Sequence, residues 1–138
     1  QLRPQGPQVR NPAQCVVLVV EDNPINQLVL RGMLLKLGYQ VRCADNGAAA
    51  LDLLRNEPVD AVLLDCQMPG MDGFATCRAL RLLPGCSGLP VLAVTAHSHA
   101  GDRERCLAAG MSDYLTKPLK FDTLQVVLHD WLLCSAAR

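Results

Sequence analysis

Polar and charged side chains that suit phosphate chemistry follow four of the short apolar stretches in this sequence, at the points where those stretches end. They are Glu21 and Asp22 after the first stretch, Asp65 after the third, Thr95 after the fourth and Lys117 after the fifth. If the stretches are neighbouring strands, the three carboxylates repel one another unless a hard cation lies between them. Mg²⁺ takes oxygen ligands and often combines one or two carboxylates with phosphate oxygens. The set therefore predicts a Mg²⁺ site at which Lys117 and Thr95 hold a phosphoryl group, an arrangement that suits phosphoryl transfer.

The stretch around Asp65 shows how such a residue is delivered to a site. The apolar run 61–64 is too short for a helix, and Asp65 follows it directly. Pro69, Gly70 and Gly73 come next and predict a turn. A short apolar run bounded by turn residues is typical of a buried strand. The pattern indicates a strand that carries one aspartate into a loop, although Asp65 could instead only cap a turn.

Five strand–helix units in strict alternation position these residues. Strands are predicted at 15–20, 39–44, 61–64, 91–94 and 113–116, and helices at 24–37, 48–56, around 74–80, at 100–109 and at 121–132. This alternation is typical of an α/β domain in which helices cover both faces of a parallel sheet. In such sheets, sites form at the carboxyl ends of the strands, where the polar residues above lie.

The first helix has a clear predicted start and a predicted buried face. Asn23 is a good capping residue, and Pro24 suits the first helical position because its missing N–H has no partner there. An apolar stripe along the helix predicts the face that packs on the sheet. That face consists of Ile25, Leu28, Val29, Gly32 and Leu35.

Length and composition limit the possible classes of protein. The chain has 138 residues, half of them hydrophobic, and a formal net charge of zero. One domain of this size buries roughly two thirds of its unfolded surface. The neutral charge gives no electrostatic reason to expect nucleic acid or an anionic membrane surface as partner. No apolar run approaches the roughly 20 residues of a membrane span, and the polar residues 1–4 do not have the pattern of a signal peptide.

The termini and the cysteines add expectations about context. Residues 1–13 are rich in Pro, Gln and Arg and are predicted to be a linker or disordered tail, with the folded domain at 14–135. The chain does not begin with Met, and we expect it to be part of a longer protein. Seven scattered cysteines without a Cys-x-x-Cys pair argue against metal binding by sulfur and against a disulfide framework, and favour a reducing, cytoplasmic setting.

Four motifs together resemble those of response-regulator receiver domains, the CheY-like phosphoacceptor modules of two-component signalling. They are Val19-Val20-Glu21-Asp22-Asn23, the run from Leu64-Asp65 to Asp72-Gly73, Val94-Thr95-Ala96 and Lys117-Pro118. Each motif is weak alone, but their order and spacing across residues 15 to about 133 are specific. The resemblance implies one flavodoxin-like, doubly wound (βα)₅ domain with a five-stranded parallel sheet in the order 2-1-3-4-5.

The resemblance also implies a role for each residue at the strand ends. Asp65 is the phosphoacceptor, whose carboxylate attacks a phosphohistidine and forms an acyl phosphate. Mg²⁺, or Mn²⁺ in its place, is bound by Asp22, Asp65 and the backbone carbonyl of Gln67, whereas Glu21 acts through water. Lys117 and Thr95 contact the phosphoryl group.

Further residues match positions that control switching and phosphoryl lifetime in the family. Tyr114 matches the aromatic switch position and would turn inward when Thr95 moves toward the phosphoryl group. Pro118 would follow Lys117 through a cis peptide bond. Gln67 and His97 match loop positions that tune the lifetime of the phosphoryl group.

Simpler structural explanations exist for the same residues. Glu21 and Asp22 could merely favour the start of a helix, where the dipole attracts negative charge. Tyr114 could be a packing residue, and Gln67 and His97 could be exposed loop residues without a role.

The amino-acid sequence from Glu21 to Asn26 is similar to that of receivers in hybrid sensor histidine kinases. In that case the partners are the histidine kinase core and a histidine phosphotransfer domain, docked on a face that includes Ile25, Leu28 and Pro118. Leu28 could instead face the core. The parent would be a histidine kinase, which could be anchored in the inner membrane. The domain itself is expected to be a monomer that contacts neither nucleic acid nor the membrane.

Other classes of protein fit the sequence less well. A stand-alone response regulator is the alternative within the family. A flavodoxin-like cofactor binder would need a Gly-rich phosphate loop after the first strand, where Glu21 and Asp22 stand instead. An aspartate-nucleophile phosphatase would need a second Asp at the position of Gln67. A phosphorylation-independent interaction module remains possible if the acidic site is inert.

Overall fold

A computed structural model describes residues 11–68, 70–96 and 101–133. The five parallel strands are β1 Val16–Val20, β2 Gln40–Ala44, β3 Ala61–Asp65, β4 Val91–Thr95 and β5 Asp113–Thr116, in the sheet order β2-β1-β3-β4-β5. The helices are α1 Pro24–Lys36, α2 Gly47–Asn56, α3 Gly73–Arg81, α4 Asp102–Ala108 and α5 Phe121–Leu128, which continues into a π-helical turn His129–Leu133. The predicted fold class and strand order are confirmed.

The sheet separates two apolar cores. On one side, α2 and α3 contribute Leu51, Cys77 and Leu80, which pack with alternate residues of the central strands. On the other side, α1 and α5 contribute buried leucines to a second core. The central strands are therefore buried on both faces, as their continuous apolar sequences predict. This double burial holds the carboxyl ends of β1, β3 and β4 in a fixed relation.

The predicted buried face of α1 is wrong. Leu30 and Leu34 are the buried residues of this helix, whereas the side chains that we expected to face the sheet point to solvent. The exposed residues are Ile25, Leu28, Val29 and Leu35. The helix carries two apolar stripes on nearly opposite sides, and the sequence periodicity cannot decide which stripe meets the sheet. Leu28 therefore does not face the core.

The ends of the elements fall close to the predicted positions, with two differences that matter. Asp65 and Thr95 are the last residues of β3 and β4, so that strand pairing fixes their backbones. Pro12–Gln14, partly within the predicted linker, forms a 3₁₀ turn whose Ala13 carbonyl accepts a hydrogen bond from Gln40 Nε2 at 2.8 Å. Residues 1–10 lie outside the described residues. None of the described helices has the length and apolar character needed to cross a membrane.

Gly73 allows α3 to begin directly against the end of β3. Asp72 caps the helix through its carboxylate, which accepts a hydrogen bond from the Ala75 N–H at 2.9 Å. A Cβ atom at Gly73 would lie 2.5 Å from the Asp65 carbonyl oxygen and 2.7 Å from the Cys66 Cα. Because both are backbone atoms, they cannot move without displacing Asp65 at the end of β3.

We expect Gly73→Ala to destabilise the domain by roughly 1–3 kcal/mol, the range for overpacking a close contact. Gly32→Ala is the matched control, because it lies in α1 with no atom within 4 Å of the added Cβ. It should stabilise the domain by about 0.5–1 kcal/mol through helix propensity. Urea unfolding of both variants measures the difference, and equal effects would contradict the steric explanation.

Candidate functional site

The predicted site residues converge at the carboxyl edge of the sheet. Asp65 ends β3 and is paired in register with Val94, and Thr95 ends β4 beside Thr116 of β5. Lys117 follows β5, and its backbone N–H donates to the Thr95 carbonyl at 2.8 Å. The peptide bond between Lys117 and Pro118 is cis, as predicted. Parallel pairing therefore brings together side chains that are far apart in sequence.

Three carboxylates form a cluster at this edge. One oxygen from each of Glu21, Asp22 and Asp65 lies within 4.8 Å of the other two. The Glu21 and Asp65 residues are 1% and 3% exposed, whereas Asp22 faces solvent. The cluster is thus open to solvent on the side of Asp22 and closed on the side of Glu21.

Lys117 supplies the positive charge nearest to the two buried carboxylates. Its Nζ lies 3.4 Å from Asp65 Oδ1 and 3.5 Å from Glu21 Oε1. One ammonium group thus faces two carboxylates, which leaves net negative charge in a partly desolvated place. Such an imbalance is stabilised by a further cation.

The Glu21 carboxylate is buried and only partly satisfied by hydrogen bonds and nearby positive charge. Its Oε2 accepts a hydrogen bond from the Asn23 N–H at 3.2 Å, but Oε1 accepts none from residues that the structure describes, despite its distance to Lys117. Burial raises the pKa of the Glu21 carboxyl above its ordinary value, and the charge of Asp65 raises it further. The Asn23 N–H and Lys117 act in the opposite direction but do not cancel the effect of burial.

The donor set fits a hard divalent cation. The side chains of the cluster offer carboxylate oxygens, which Mg²⁺ prefers to nitrogen or sulfur. The buried Glu21 Oε1, which accepts no hydrogen bond from the part of the chain that the structure describes, fits as an acceptor for a metal-bound water. The neighbouring Cys66 is a poor competing ligand, because burial, and then Cys106 beside it, raises the pKa of its thiol to about 12.

Gln67 contributes its backbone to the site. Its N–H donates to Asp65 Oδ1 at 3.0 Å, which orients the carboxylate, while its side chain is exposed. Thr95, the last residue of β4, is 6% exposed. Tyr114 of β5 is half-buried and packs against the core on the side of α2 and α3. His97 lies outside the described residues.

One residue that sequence reasoning missed also touches the acidic loop. Gln27 of α1 donates from Nε2 to the Glu21 carbonyl and to Asp45 Oδ1, both at 3.0 Å. Asp45 follows β2, the strand from which the sequence analysis selected no site residue. A lone glutamine within a helix carries no signal of this role in the sequence, and only the fold reveals it.

The surface beside the site is apolar. Ile25 and Leu28 are 72% and 66% exposed on α1. Between α1 and the chain after β5 lies a cavity of about 330 Å³, bordered by Val29, Pro118 and other residues and reaching Lys117. Of the three residues predicted to meet a partner, Pro118 borders this cavity, whereas Leu28 borders a separate cavity toward Cys43 of β2.

Comparison with known proteins agrees with this geometry. The family model described as "Response regulator receiver domain" matches residues 17–129. Hybrid signal transduction protein dokA of Dictyostelium discoideum is 44% identical over 117 residues, which are 84% of this chain and 7% of that protein. Sensor histidine kinase GacS of Pseudomonas protegens is 42% identical over 118 residues, which are 83% of this chain and 13% of that protein. The chain thus spans only a small part of the curated relatives it matches.

Solved structures agree as well. The receiver domain of sensor histidine kinase PA1611 from Pseudomonas aeruginosa PAO1, with a magnesium ion coordinated in the active site cleft, is 43% identical with a TM-score of 0.79. The match covers 85% of this chain and 96% of that chain. The receiver domain of Saccharomyces cerevisiae Ssk1 in complex with the histidine phosphotransfer protein Ypd1 gives 28% identity and a TM-score of 0.78, over 85% of this chain and 88% of that chain.

We expect Glu21→Gln to stabilise the metal-free protein at pH 7 by about 1 kcal/mol, because it replaces a buried carboxylate with an uncharged amide of similar volume. The pKa of Glu21 is raised in the folded state, so the folded state binds more protons than the unfolded state above pH 4.5. The wild type therefore loses stability as the pH rises through the folded pKa, and the advantage of the variant should shrink toward pH 4.5.

Urea unfolding in the presence of a chelator, at several pH values, measures this difference. Glu57→Gln is the matched control, because Glu57 is exposed and forms a surface pair with Arg42 at 3.0 Å. It should change stability by less than about 1 kcal/mol at any pH. A gain for Glu21→Gln that is the same at pH 7 and pH 4.5 would argue against the buried-charge explanation.

Proposed function

Because this chain belongs to the response regulator receiver family, we propose that Asp65 is its phosphoacceptor and that the carboxylate cluster binds Mg²⁺, or Mn²⁺ in its place. The chain is a receiver domain of two-component phosphorelay signalling, homologous to the receiver domains of hybrid histidine kinases. The observation that supports the assignment of Asp65 is its position as a buried carboxylate that Lys117, Glu21 and Asp22 surround at the carboxyl edge of the sheet.

The proposed reaction is a transfer between two side chains. A carboxylate oxygen of Asp65 attacks the phosphorus of a phosphohistidine, the P–N bond breaks, and the imidazole leaves as an acyl phosphate forms. The Gln67 N–H and Lys117 Nζ hold Asp65 Oδ1 at 3.0 and 3.4 Å, which limits the rotation of the carboxylate before attack. Such positioning is the main contribution that a protein makes to phosphoryl transfer.

The proposed ligands of the metal are Asp22, Asp65 and the backbone carbonyl of Gln67, with Glu21 acting through water. A bound Mg²⁺ would neutralise carboxylate charge and attract phosphoryl oxygens. Glu21 keeps a buried acceptor, Oε1, beside the cluster, which supports its indirect role. Lys117 is placed to pair with the phosphoryl group once Asp65 has lost its charge.

Thr95 and Tyr114 are proposed to convert phosphorylation into a change of surface. Thr95 lies at the end of β4 next to β5, and Tyr114 is paired with Ala93 two residues before it. A movement of Thr95 toward the phosphoryl group would leave space into which the half-buried Tyr114 turns. Phosphorylation then shifts the population of two states of one surface. His97 and the Gln67 side chain are proposed to tune the lifetime of the phosphoryl group.

A histidine phosphotransfer domain is the proposed partner, and a hybrid histidine kinase is the proposed parent. The phosphotransfer partner would dock on Ile25, Leu28 and Pro118, beside the acidic cluster. Two observations support this surface: Ile25 and Leu28 are apolar although exposed, and Pro118 borders the cavity that reaches Lys117. The solved complex of Ypd1 with the Ssk1 receiver is a related pair of this kind.

Asp65→Asn should abolish phosphorylation by a small-molecule phosphodonor in the presence of Mg²⁺, because the amide is not a nucleophile. Intact mass should show one added phosphoryl group on the wild type, and a chelator should prevent its addition. Asp52→Asn is the matched control, because Asp52 lies on the exposed face of α2. It should be phosphorylated like the wild type.

Retention of the added mass in Asp65→Asn would assign the phosphoacceptor to another residue. A folded wild type that gains no mass from either a small-molecule donor or a phosphorylated histidine domain would favour an inert interaction module.

The measurement uses a phosphorylated histidine phosphotransfer domain as the phosphodonor. Its KM should be roughly tenfold higher with Leu28→Ser than with the wild type, as expected for a buried interface anchor. Phosphorylation by the small-molecule donor should stay unchanged, because Leu28 does not touch the acidic cluster. Leu82→Ser is the control: Leu82 is 85% exposed at the end of α3, on the opposite edge of the sheet. Equal effects of the two substitutions on KM would rule out α1 as the docking face.

A further inference from the structure

We propose that Gln27 is a positioning residue of the acidic site, which sets the affinity for a divalent cation by holding the peptide unit between Glu21 and Asp22. This inference rests on the proposed metal site and adds to it a residue that binds neither metal nor phosphate. It follows from hydrogen bonds at the place where β1 leaves the sheet.

The Glu21 carbonyl lies where the hydrogen-bond ladder between β1 and β2 ends. The Glu21 N–H still donates to the Ala44 carbonyl, at 3.1 Å. β2 ends at Ala44, and the chain then turns away through Asp45 toward α2. The side chain of Gln27 takes the place of the next strand donor, with its Nε2 at 3.0 Å from the Glu21 oxygen.

Holding this oxygen determines where Asp22 begins. The Glu21 carbonyl and the Asp22 N–H belong to one planar peptide unit, so fixing the oxygen fixes the plane. Asp22 lies between β1 and α1, outside the regular hydrogen bonding of either element. The direction of its exposed carboxylate toward Glu21 and Asp65 therefore depends on this plane more than on the sheet.

A second hydrogen bond gives the Gln27 amide one orientation. A carboxamide nitrogen has two N–H donors. In Gln27 one goes to the Glu21 carbonyl and the other to Asp45 Oδ1, again at 3.0 Å. Because both donors are used, rotation of the amide would break two bonds at once. Gln27 thereby connects the loop after β1 to the loop after β2.

The test is the Mg²⁺ dissociation constant of the full chain with Gln27→Met, measured by calorimetry without a phosphodonor. Methionine keeps the length and charge of the side chain but has no donor. The dissociation constant should rise roughly threefold to tenfold, which corresponds to the loss of one hydrogen bond. At saturating Mg²⁺, the maximal rate of phosphorylation by a small-molecule donor should return to within about twofold of the wild type.

Gln40→Met is the matched control. Gln40 also donates from Nε2 to a backbone carbonyl, that of Ala13 at 2.8 Å, but at the opposite edge of the sheet. Its Mg²⁺ affinity should equal that of the wild type. Unchanged affinity in Gln27→Met would overturn the inference. So would a maximal rate that stays low at saturating Mg²⁺ together with a lower Tm, because that result indicates a general structural role.

Asp22→Asn separates this inference from the proposed metal site. If Asp22→Asn binds Mg²⁺ as tightly as the wild type, the metal site itself is wrong. If Asp22→Asn weakens binding and Gln27→Met does not, the metal site stands and only the role of Gln27 fails.

Discussion

The main constraint on this structure is the repulsion between two buried carboxylates, those of Glu21 and Asp65, at one edge of a parallel sheet. Lys117 offsets this repulsion only in part, because one ammonium group faces both carboxylates. The pKa of Glu21 is raised first by burial and then by the charge of Asp65. A fold tolerates such an arrangement only where burial elsewhere supplies the stability, and here the central strands are covered on both faces. The acidic edge is thus supported by the apolar interior beneath it.

The same sheet gives the site two different surroundings. On the side of α1, the cluster is bordered by exposed apolar side chains and a cavity. On the side of α2 and α3, it meets closely packed residues, among them Gly73, which permits no added Cβ. A partner can therefore bind on the side of α1, while a conformational change is transmitted on the side of α2 and α3. β5 joins the two, because Tyr114 packs on one side while Lys117 reaches the carboxylates.

Sequence reasoning reached most of the fold and the convergence of the site, and it failed where tertiary contacts decide. The strands were predictable because continuous apolar runs and turn residues mark a parallel sheet. The meeting of Asp22, Asp65 and Lys117 followed from parallel pairing alone. The buried face of α1 did not, because Leu30 and Leu34 form a stripe as regular as the one with Ile25 and Leu28. Gln27 gave no signal, since its two hydrogen bonds join segments that become neighbours only after folding.

The exposed stripe on α1 also affects how this domain behaves in solution. Ile25, Leu28, Val29 and Leu35 present adjacent apolar surface to water. The formal net charge of zero supplies no long-range repulsion between copies. The solubility of the separated domain therefore depends on ionic strength and on protein concentration, and its folding free energy does not predict it. A surface suited to a transient partner makes the domain prone to self-association when that partner is missing.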